Sequence, residues 1–240
     1  MNLGKINKFM PFVMKGGYNP NLPLHITDEC KVWLDGKDAG QFTLDGTYVD
    51  DWIGKGSLAI HAANGNDNTT RPTYDINTGR VTFTAANNTF LQSAAFASAL
   101  TQPNTIFIVY KITGDISDLE YVFDGVTARN YFYIHLNSFK IADGVVSLPD
   151  GATNANNNIH TGLFNGASSE YWINGASAAS GDAGVGALNG ITLGARSDFA
   201  NYTDAEIMEC IVYNADISDV DRDKITGYLA KKWDITATTD

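Results

Sequence analysis

Residues 203–233, TDAEIMECIVYNADISDVDRDKITGYLAKKW, place a strand-like apolar run directly before a helix-like segment. Ser218 is a favourable N-cap, and the acids Asp219 and Asp221 follow it at the positive end of the helix dipole. The spacing predicts a helix over 218–233 that buries one apolar stripe, made of Val220, Ile225, Tyr228, Leu229 and Trp233. Since the nearest apolar surface is the sheet that the chain has just left, we expect the helix to cover one end or flank of that sheet, with Trp233 in packing contact.

The rest of the chain carries β-strand patterns between loops rich in Gly, Asn, Asp, Ser and Thr. NTIFIVYKI (104–112) is apolar at nearly every position, which indicates a central strand covered on both faces. Other strand-like runs are CKVWLDG (30–36), GRVTFTA (79–85), NYFYIHL (130–136), EYWINGA (170–176), NGITLGA (189–195) and EIMECIVYN (206–214). The chain has 240 residues and no second composition regime. The sequence therefore predicts an all-β protein with one sandwich over residues 28–240.

Residues 1–27 differ from this pattern. Three lysines occur within residues 1–20 without an acid, although the whole chain has a net charge of −11. The segment also holds apolar side chains that it cannot bury alone, among them Phe9, Met10, Phe12, Val13 and Met14. We interpret residues 1–27 as an attachment arm; the alternative is a first strand with a frayed terminus. The short, Pro-interrupted apolar stretch is unlike a secretory signal, so we expect no Sec export.

Composition argues against several kinds of partner. An acidic chain is a poor ligand for a phosphate backbone, so we expect no nucleic acid partner. No apolar run approaches the about 18 residues of a membrane span, so we expect no membrane insertion. The cysteines, Cys30 and Cys210, lie in apolar strand-like runs, which predicts two buried free thiols.

An ordered set of motifs resembles a known fold family. VWLDGKDAGQFTLDGTYVDDWIGKG, RPTYD, GRVTFTAANNTFL and NTIFIVYK occur in this order, followed by YWINGA, ITLGAR and the strand–helix segment that ends in YLAKKW. Over about residues 30–233 the chain resembles concanavalin A-like lectin/glucanase sandwiches of the laminin-G-like type, which recur in secreted bacterial proteins and bacteriophage virion proteins. The resemblance implies a two-sheet antiparallel jelly roll with one C-terminal helix. Without a signal peptide, a catalytic domain or a sorting signal, we expect the phage setting.

The sequence lacks the catalytic pattern of glucanases with this fold. Those enzymes carry E-x-D-x-x-E or E-x-D-x-E, which places two carboxylates on one strand face about 5–5.5 Å apart. The nearest approach to it is Glu120 and Asp124, with only apolar residues between them. The four histidines are not paired at metal-binding spacing, and no HExxH motif occurs. The sequence therefore predicts no catalytic residue and no cofactor.

Glu209 lies in an apolar strand and is assigned to the same face as Ile207 and Ile211. A carboxylate in that position needs a partner, and we expect Arg196 or Arg71 to supply it. The alternative role is an acid catalyst. A Glu at this position of the family pattern in non-enzymatic modules favours the structural role.

Calcium is the one metal that the resemblance suggests, because some laminin-G-like modules bind it through loop carboxylates. The weak candidates are Asp35, Asp38, Asp50 and Asp51. Their spacing matches no fixed calcium loop, so solvated or turn-capping carboxylates are the favoured alternative.

A ligand-binding face is predicted from aromatic residues that alternate with apolar ones. Tyr131, Tyr133 and His135 lie opposite Phe132 and Ile134 on one strand. On another strand Trp172 shares its face with Asn174. Aromatic rings among polar groups are surfaces on which sugar rings stack. The alternative is that some of these rings belong to the core between two sheets.

Together these observations predict a non-enzymatic bacteriophage virion structural protein, in a capsid decoration, head fibre or tail fibre. Its localisation would be the virion, assembled in the host cytoplasm. The arm would contact other virion proteins or further copies of the chain, and the lectin-like domain would bind host-surface polysaccharide. The alternatives are a bacterial carbohydrate-binding or adhesion module and, less favoured, a glycan hydrolase.

Overall fold

The computed structural model describes residues 29–64, 68–115, 117–142, 146–147 and 156–239. The arm predicted for residues 1–27, with Phe9, Met10, Phe12, Val13 and Met14, lies outside the described residues and stays a prediction. Within the described ranges no helix has the length and apolar character of a membrane span.

Strands dominate the described structure, and one α-helix follows the last of them. The strands are β1 (Cys30–Asp35), β2 (Phe42–Asp45), β3 (Tyr48–Ile53), β4 (His61–Ala63), β5 (Thr73–Asp75), β6 (Arg80–Phe83), β7 (Leu91–Gln92), β8 (Asn104–Ile112), β9 (Glu120–Asp124), β10 (Tyr131–His135), β11 (Ser138–Ala142), β12 (Val146–Ser147), β13 (Asn158–Phe164), β14 (Ser169–Ile173), β15 (Ala176–Gly181), β16 (Thr192–Leu193) and β17 (Ala205–Tyr213). The helix α1 is Asp219–Trp233, and two 3-10 turns lie at Ala39–Gln41 and Ala85–Asn87.

The strands pair antiparallel and form two packed layers. In the first layer the order is β15-β14-β13-β8-β17, and β1 and β6 pair end to end along the free side of β17. In the second layer the order is β12-β11-β10-β9-β16-β7-β4-β3-β2. Strand β5 pairs with β6 and β3 and thereby joins the two layers at one edge. The predicted all-β sandwich with one C-terminal helix is confirmed.

The central strand β8 has the bounds that the apolar run predicts. Ile106 and Ile108 face the core between the layers, whereas Phe107 and Val109 belong to a second cluster on the opposite face. A strand covered on both faces needs no polar side, so its sequence reads as a continuous apolar run.

Strand β13 pairs with β8 although its sequence, NIHTGLF, has no clear strand pattern. Its Gly162 is required by packing, because a Cβ atom there would lie 2.8 Å from the ring of Phe132 in the opposite layer. The glycine therefore lets the two layers approach closely at the centre of the sandwich.

Helix α1 lies against the outer face of the first layer. Ser218 caps it, and its hydroxyl accepts a hydrogen bond from the backbone N–H of Asp221. Ile225, Leu229 and Trp233 are buried and share a hydrophobic cluster with β1, β8, β13 and β17. The helix and most of its predicted stripe are confirmed. Val220 is the exception, because it is 62% exposed at the first turn.

Glu209 is fully buried beneath this helix, and the partners that the sequence suggested are wrong. A bulge at Met208 shifts the register of β17, so Glu209 faces the helix and Ile207 faces the core between the layers. The carboxylate lies 2.8 Å from Nζ of Lys232, and neither Arg196 nor Arg71 contacts it.

Two tryptophans complete the surroundings of this carboxylate. The indole N–H groups of Trp33 and Trp233 donate to Glu209 at 2.8 Å and 2.6 Å. Burial raises the pKa of Glu209, and the Lys232 ammonium opposes that shift. A carboxylate held by two indoles and an ammonium has a structural role, which connects the helix to the first and last strands.

Both cysteines are buried free thiols, as predicted. Burial raises the pKa of Cys30 to about 12 and raises the pKa of Cys210 as well. The two thiols lie on opposite faces of the first layer, because Cys30 belongs to the helix-side cluster and Cys210 to the core between the layers.

Candidate functional site

The outer face of the second layer presents the aromatic residues of β10. Phe132 and Ile134 point into the core between the layers, so Tyr131 and Tyr133 point outward and are half-buried. The neighbouring strand β9 contains a bulge at Val122. Phe123 on one side of the bulge pairs with Phe132, and Tyr121 on the other side pairs with Tyr133. The bulge places the Tyr121 ring on the outer side beside the two tyrosines of β10.

The three tyrosine rings form one cluster. The centroid of the Tyr121 ring lies 5.4 Å from that of Tyr131 and 5.6 Å from that of Tyr133, and the last two lie 5.6 Å apart. The guanidinium carbon of Arg129 lies 4.7 Å from the centroid of Tyr131 and 5.4 Å from that of Tyr121. We call Tyr121, Arg129, Tyr131 and Tyr133 the tyrosine face.

Arg129 is fixed on this face by a buried carboxylate. Its Nε donates to both oxygens of Asp124 at 2.8 Å and 2.9 Å, and its Nη2 donates to Oδ2 at 2.6 Å. Asp124 also accepts from the backbone N–H groups of Gly125 and Ser197, each at 2.8 Å. Burial raises the pKa of Asp124, and the hydrogen bonds from Arg129 oppose it. The guanidinium is therefore held in position beside the rings, since it cannot rotate without losing this bidentate pair.

A loop with a second ion pair borders the tyrosine face. Arg196 Nε and Nη2 donate to the two oxygens of Asp198 at 2.7 Å and 2.6 Å. The same loop reaches Asp124 through the backbone of Ser197. Both arginines here are neutralised by carboxylates, so rings and paired polar groups dominate this surface, with no excess positive charge from either arginine.

His135 lies at the end of the same strand face, as predicted, and is half-buried. The alternation stops one residue later. Leu136 and Asn137 have φ values of 53° and 58° and form the turn between β10 and β11. Leu136 is therefore 55% exposed and does not continue the inward face of Phe132 and Ile134.

The structure contradicts the prediction that Trp172 is an exposed binding residue. Trp172 is only 4% exposed and lies on the outer face of the first layer, opposite Tyr171. The guanidinium carbon of Arg222 in helix α1 lies 4.2 Å from its ring centroid. The helix thus covers Trp172, and a ligand on the tyrosine face of the other layer does not meet it.

Asn174 has a turn-forming role. Asn174 and Gly175 have φ values of 50° and 81° and form the tight hairpin turn between β14 and β15. Its side-chain oxygen accepts from the backbone N–H of Ile159 at 2.8 Å, and its amide donates to Asn158 at 2.9 Å. Both ends of the amide are thereby occupied within the protein, on the opposite layer from the tyrosine face.

The four calcium candidates do not form a cation site. Asp35 and Asp38 lie near each other, but each is paired with a lysine, at 2.5 Å from Lys232 and at 2.8 Å from Lys55. Asp50 and Asp51 lie on β3 and are paired with Arg71 at 2.7 Å and with His61 at 2.5 Å. The described residues contain no group of three or more His, Cys, Asp or Glu side chains that could hold a metal ion.

The carboxylates of β9 lie on opposite faces of the strand. Glu120 pairs in register with the inward-facing Ile134, whereas Asp124 contacts the outward-facing Arg129. Burial raises the pKa of Glu120 to about 7, although a hydrogen bond from Thr203 at 2.8 Å opposes that shift. The two carboxylates therefore do not face one substrate position across a common cleft.

The sequence pattern predicted Tyr131 and Tyr133 of the tyrosine face and missed Tyr121 and Arg129. Tyr121 was missed because alternation along β9 alone does not reveal the bulge that turns its ring toward Tyr133. Arg129 was missed because it lies outside any strand. The available signal was its position between two strand-like runs, five residues after a carboxylate that would otherwise have no cation beside it.

Neither a protein family model nor a curated protein matches the chain. Solved structures do share its fold. *Trypanosoma rangeli* sialidase in complex with sialic acid has a TM-score of 0.58 at 12% identity, over 88% of this chain and 34% of the sialidase chain. The botulinum neurotoxin serotype D ligand binding domain in complex with N-acetylneuraminic acid has a TM-score of 0.59 at 10% identity, over 84% and 51% of the two chains.

The receptor binding domain of the botulinum neurotoxin C/D mosaic serotype is a third similar structure, with a TM-score of 0.60 at 10% identity over 86% and 52% of the two chains. The chain thus spans about a third of the sialidase and about half of each toxin domain. At these identities the likeness concerns the fold alone, a lectin-like β-sandwich that is compatible with the concanavalin A-like resemblance. The set includes both an enzyme and binding domains.

Proposed function

We propose that the chain is a non-enzymatic glycan-binding module whose binding surface is the tyrosine face. The observation that carries this proposal is the outward cluster of three tyrosine rings with a guanidinium held beside two of them. Sugar C–H groups pack on aromatic rings, and sugar hydroxyls bond to the phenol and guanidinium groups at the edges of such a cluster. The buried Asp124 already fixes Arg129, so the arginine side chain loses little conformational entropy on binding.

The similar structures support a glycan as the first ligand class to test. Two of them are complexes with sialic acid or N-acetylneuraminic acid. We therefore propose an array of host-surface and bacterial-surface glycans, sialylated ones included, as the test. Wild-type protein should bind a defined subset, and Tyr133→Ala should lose that binding while it stays folded. Equal array signals for wild type and variant would refute the tyrosine face as the binding surface.

We further propose that the module is a bacteriophage virion protein, attached through residues 1–27 and assembled in the host cytoplasm. In a monomer the arm would be an exposed hydrophobic tail, whereas a partner would bury its apolar side chains. Deletion of residues 2–20 should leave a folded, soluble protein that no longer joins particles. Incorporation of the truncated protein at wild-type copy number would place the attachment surface elsewhere.

A bacterial adhesion module is the alternative, and it is distinguished by where the protein is found. A virion component purifies with particles at a fixed copy number, whereas an adhesion module stays with cells. A hydrolase is less favoured because Glu120 and Asp124 face opposite sides of β9 and Asp124 is neutralised by Arg129. Release of reducing sugar from a glycan that the protein binds would establish the hydrolase instead.

A further inference from the structure

A polar cavity of about 370 Å³ lies at the edge where β3, β5 and β6 join the two layers. Val81 and Phe83 of β6 face the core, so Thr82 lies on the outer side of that strand and pairs with Thr73 of β5. Most of the side chains that line the cavity carry a hydroxyl group, among them Tyr48, Thr73, Thr82 and Thr84, and the others include Arg71 and the two amides of Asn68 and Asn87.

Four hydroxyl groups of this cavity, those of Tyr48, Thr73, Thr82 and Thr84, are not used within the described structure. Among the described residues, no hydrogen bond is made by the side chains of Tyr48, Thr73, Thr82 or Thr84. Thr89 shows the contrast, because its buried hydroxyl accepts from the backbone N–H of Thr84 at 2.6 Å. Four hydroxyls that converge on one cavity without protein partners supply donors and acceptors to a ligand.

The charge of the cavity is compensated inside the protein. Arg71 Nη1 lies 2.7 Å from Oδ1 of Asp50 and donates to Oδ1 of Asn68 at 2.7 Å. Its Nε donates to the backbone carbonyl of Asn64 at 3.3 Å. These contacts hold the Arg71 guanidinium in one position at the side of the cavity. Because Asp50 neutralises its charge, the guanidinium attracts an anionic ligand less than an unpaired arginine would. The remaining lining groups are neutral hydroxyls and the amides of Asn68 and Asn87.

We propose that this cavity binds a neutral pyranose unit. A sugar ring presents several hydroxyls, each both donor and acceptor, which matches the three threonine hydroxyls and one phenol that make no hydrogen bond in the described part of the chain. The half-buried Tyr48 ring adds a surface on which the ring C–H groups can pack. The volume lies near the lower end of the range typical of small-molecule sites, about 300–1,000 Å³, which suits one ring.

This cavity shares no residue with the tyrosine face. Strands β5 and β6 belong to the joining edge and the first layer, and β3, which carries Tyr48, is separated from β9 and β10 in the second layer by β16, β7 and β4. The two surfaces can therefore be occupied independently, and the proposal does not rest on the tyrosine face being a glycan site.

The test is a titration of ¹⁵N-labelled full-length protein with the methyl glycosides of glucose, galactose and mannose, with N-acetylneuraminic acid as the charged comparator. At least one neutral glycoside should shift the amide signals of Thr73 and Thr82 saturably. Thr82→Val, which keeps the shape and removes the hydroxyl, should weaken this binding about fivefold or more. Thr82→Ser should retain it, and Thr43→Val, on the exposed strand β2, should leave it unchanged.

Three results would overturn the proposal. The first is that none of the neutral glycosides shifts these signals saturably, which includes the case in which only N-acetylneuraminic acid does. The second is that Thr82→Val binds as tightly as wild type. The third is that Tyr133→Ala abolishes the shifts, because they would then report the tyrosine face. Urea denaturation of Thr82→Val and Thr82→Ser checks that each variant is folded at the titration temperature.

Discussion

The indole N–H of Trp233 donates a hydrogen bond of 2.6 Å to Oε2 of Glu209, a carboxylate with no exposed surface. The other carboxylate oxygen accepts from Trp33 of β1 at 2.8 Å. Residues from the first strand, the last strand and the end of the helix therefore meet at one buried group. This contact fixes the position of α1 on the outer face of the first layer.

The first prediction concerns the packing of this helix. Trp233→Ala should lower the free energy of unfolding by about 3–5 kcal/mol, because it leaves a large cavity and removes a donor from Glu209. Urea denaturation measures the change. Val220→Ala on the same helix is the control, since Val220 is 62% exposed and its truncation should change little. Equal losses in the two variants would contradict the account of the helix.

The second prediction concerns the ammonium beside Glu209. Lys232 contacts Glu209 at 2.8 Å and Asp35 at 2.5 Å, and both carboxylates are buried. Lys232→Met should cost about 3–5 kcal/mol of folding free energy, because it leaves these two negative charges without a shared cation. Lys231→Met, one residue earlier and exposed, is the matched control. A Lys232→Met variant as stable as this control would show that the buried pair contributes nothing.

The third prediction concerns the pH dependence of stability. Burial raises the pKa of Glu120 to about 7 from an ordinary value of 4.5. The folded state therefore holds this proton more tightly than the unfolded state. The stability that Glu120 contributes is fully present below pH 4.5 and is lost as the pH rises through about 7, by about 2–3 kcal/mol.

Glu120→Gln isolates this effect, because glutamine resembles the protonated carboxyl and does not titrate. The variant should gain stability relative to wild type as the pH rises from 4.5 to 8, measured by urea denaturation at each pH. His160 acts in the opposite direction, since burial lowers its pKa to about 3 and its contribution is lost as the pH falls below 6.5. Wild type and Glu120→Gln both contain His160, so its contribution cancels in the difference between their free energies of unfolding. Parallel pH profiles would rule out the raised pKa of Glu120.

The sequence predicted the elements whose pattern depends only on local spacing. The central strand β8 and the capped helix α1 have the predicted positions because continuous apolar runs and N-cap chemistry are local signals. Strand β13 was missed because Gly162 is explained only by the ring of Phe132 in the other layer, and the neighbouring His160 only by its contact with the Tyr171 hydroxyl of β14. Such a packing requirement leaves no periodicity in the strand itself.

The candidate site was predicted in part for the same reason. Alternation placed Tyr131 and Tyr133 correctly on an outward face. It could not show that helix α1 covers Trp172, because alternation defines two faces and does not say what lies on each. The bulges in β9 and β17 changed the faces of Tyr121 and Glu209, and a bulge is set by pairing with a neighbouring strand.

The central claim is that the tyrosine face binds glycans. Calorimetric titration with the glycan that binds most tightly on the array tests this claim most directly. Tyr131→Ala should weaken binding about tenfold and stay folded at the assay temperature, because it removes one stacking ring. Tyr131→Phe, which keeps the ring, should retain most of the affinity. Ile76→Ala, an exposed apolar truncation in the turn after β5, should bind as wild type does. A Tyr131→Ala protein with wild-type affinity would contradict the account.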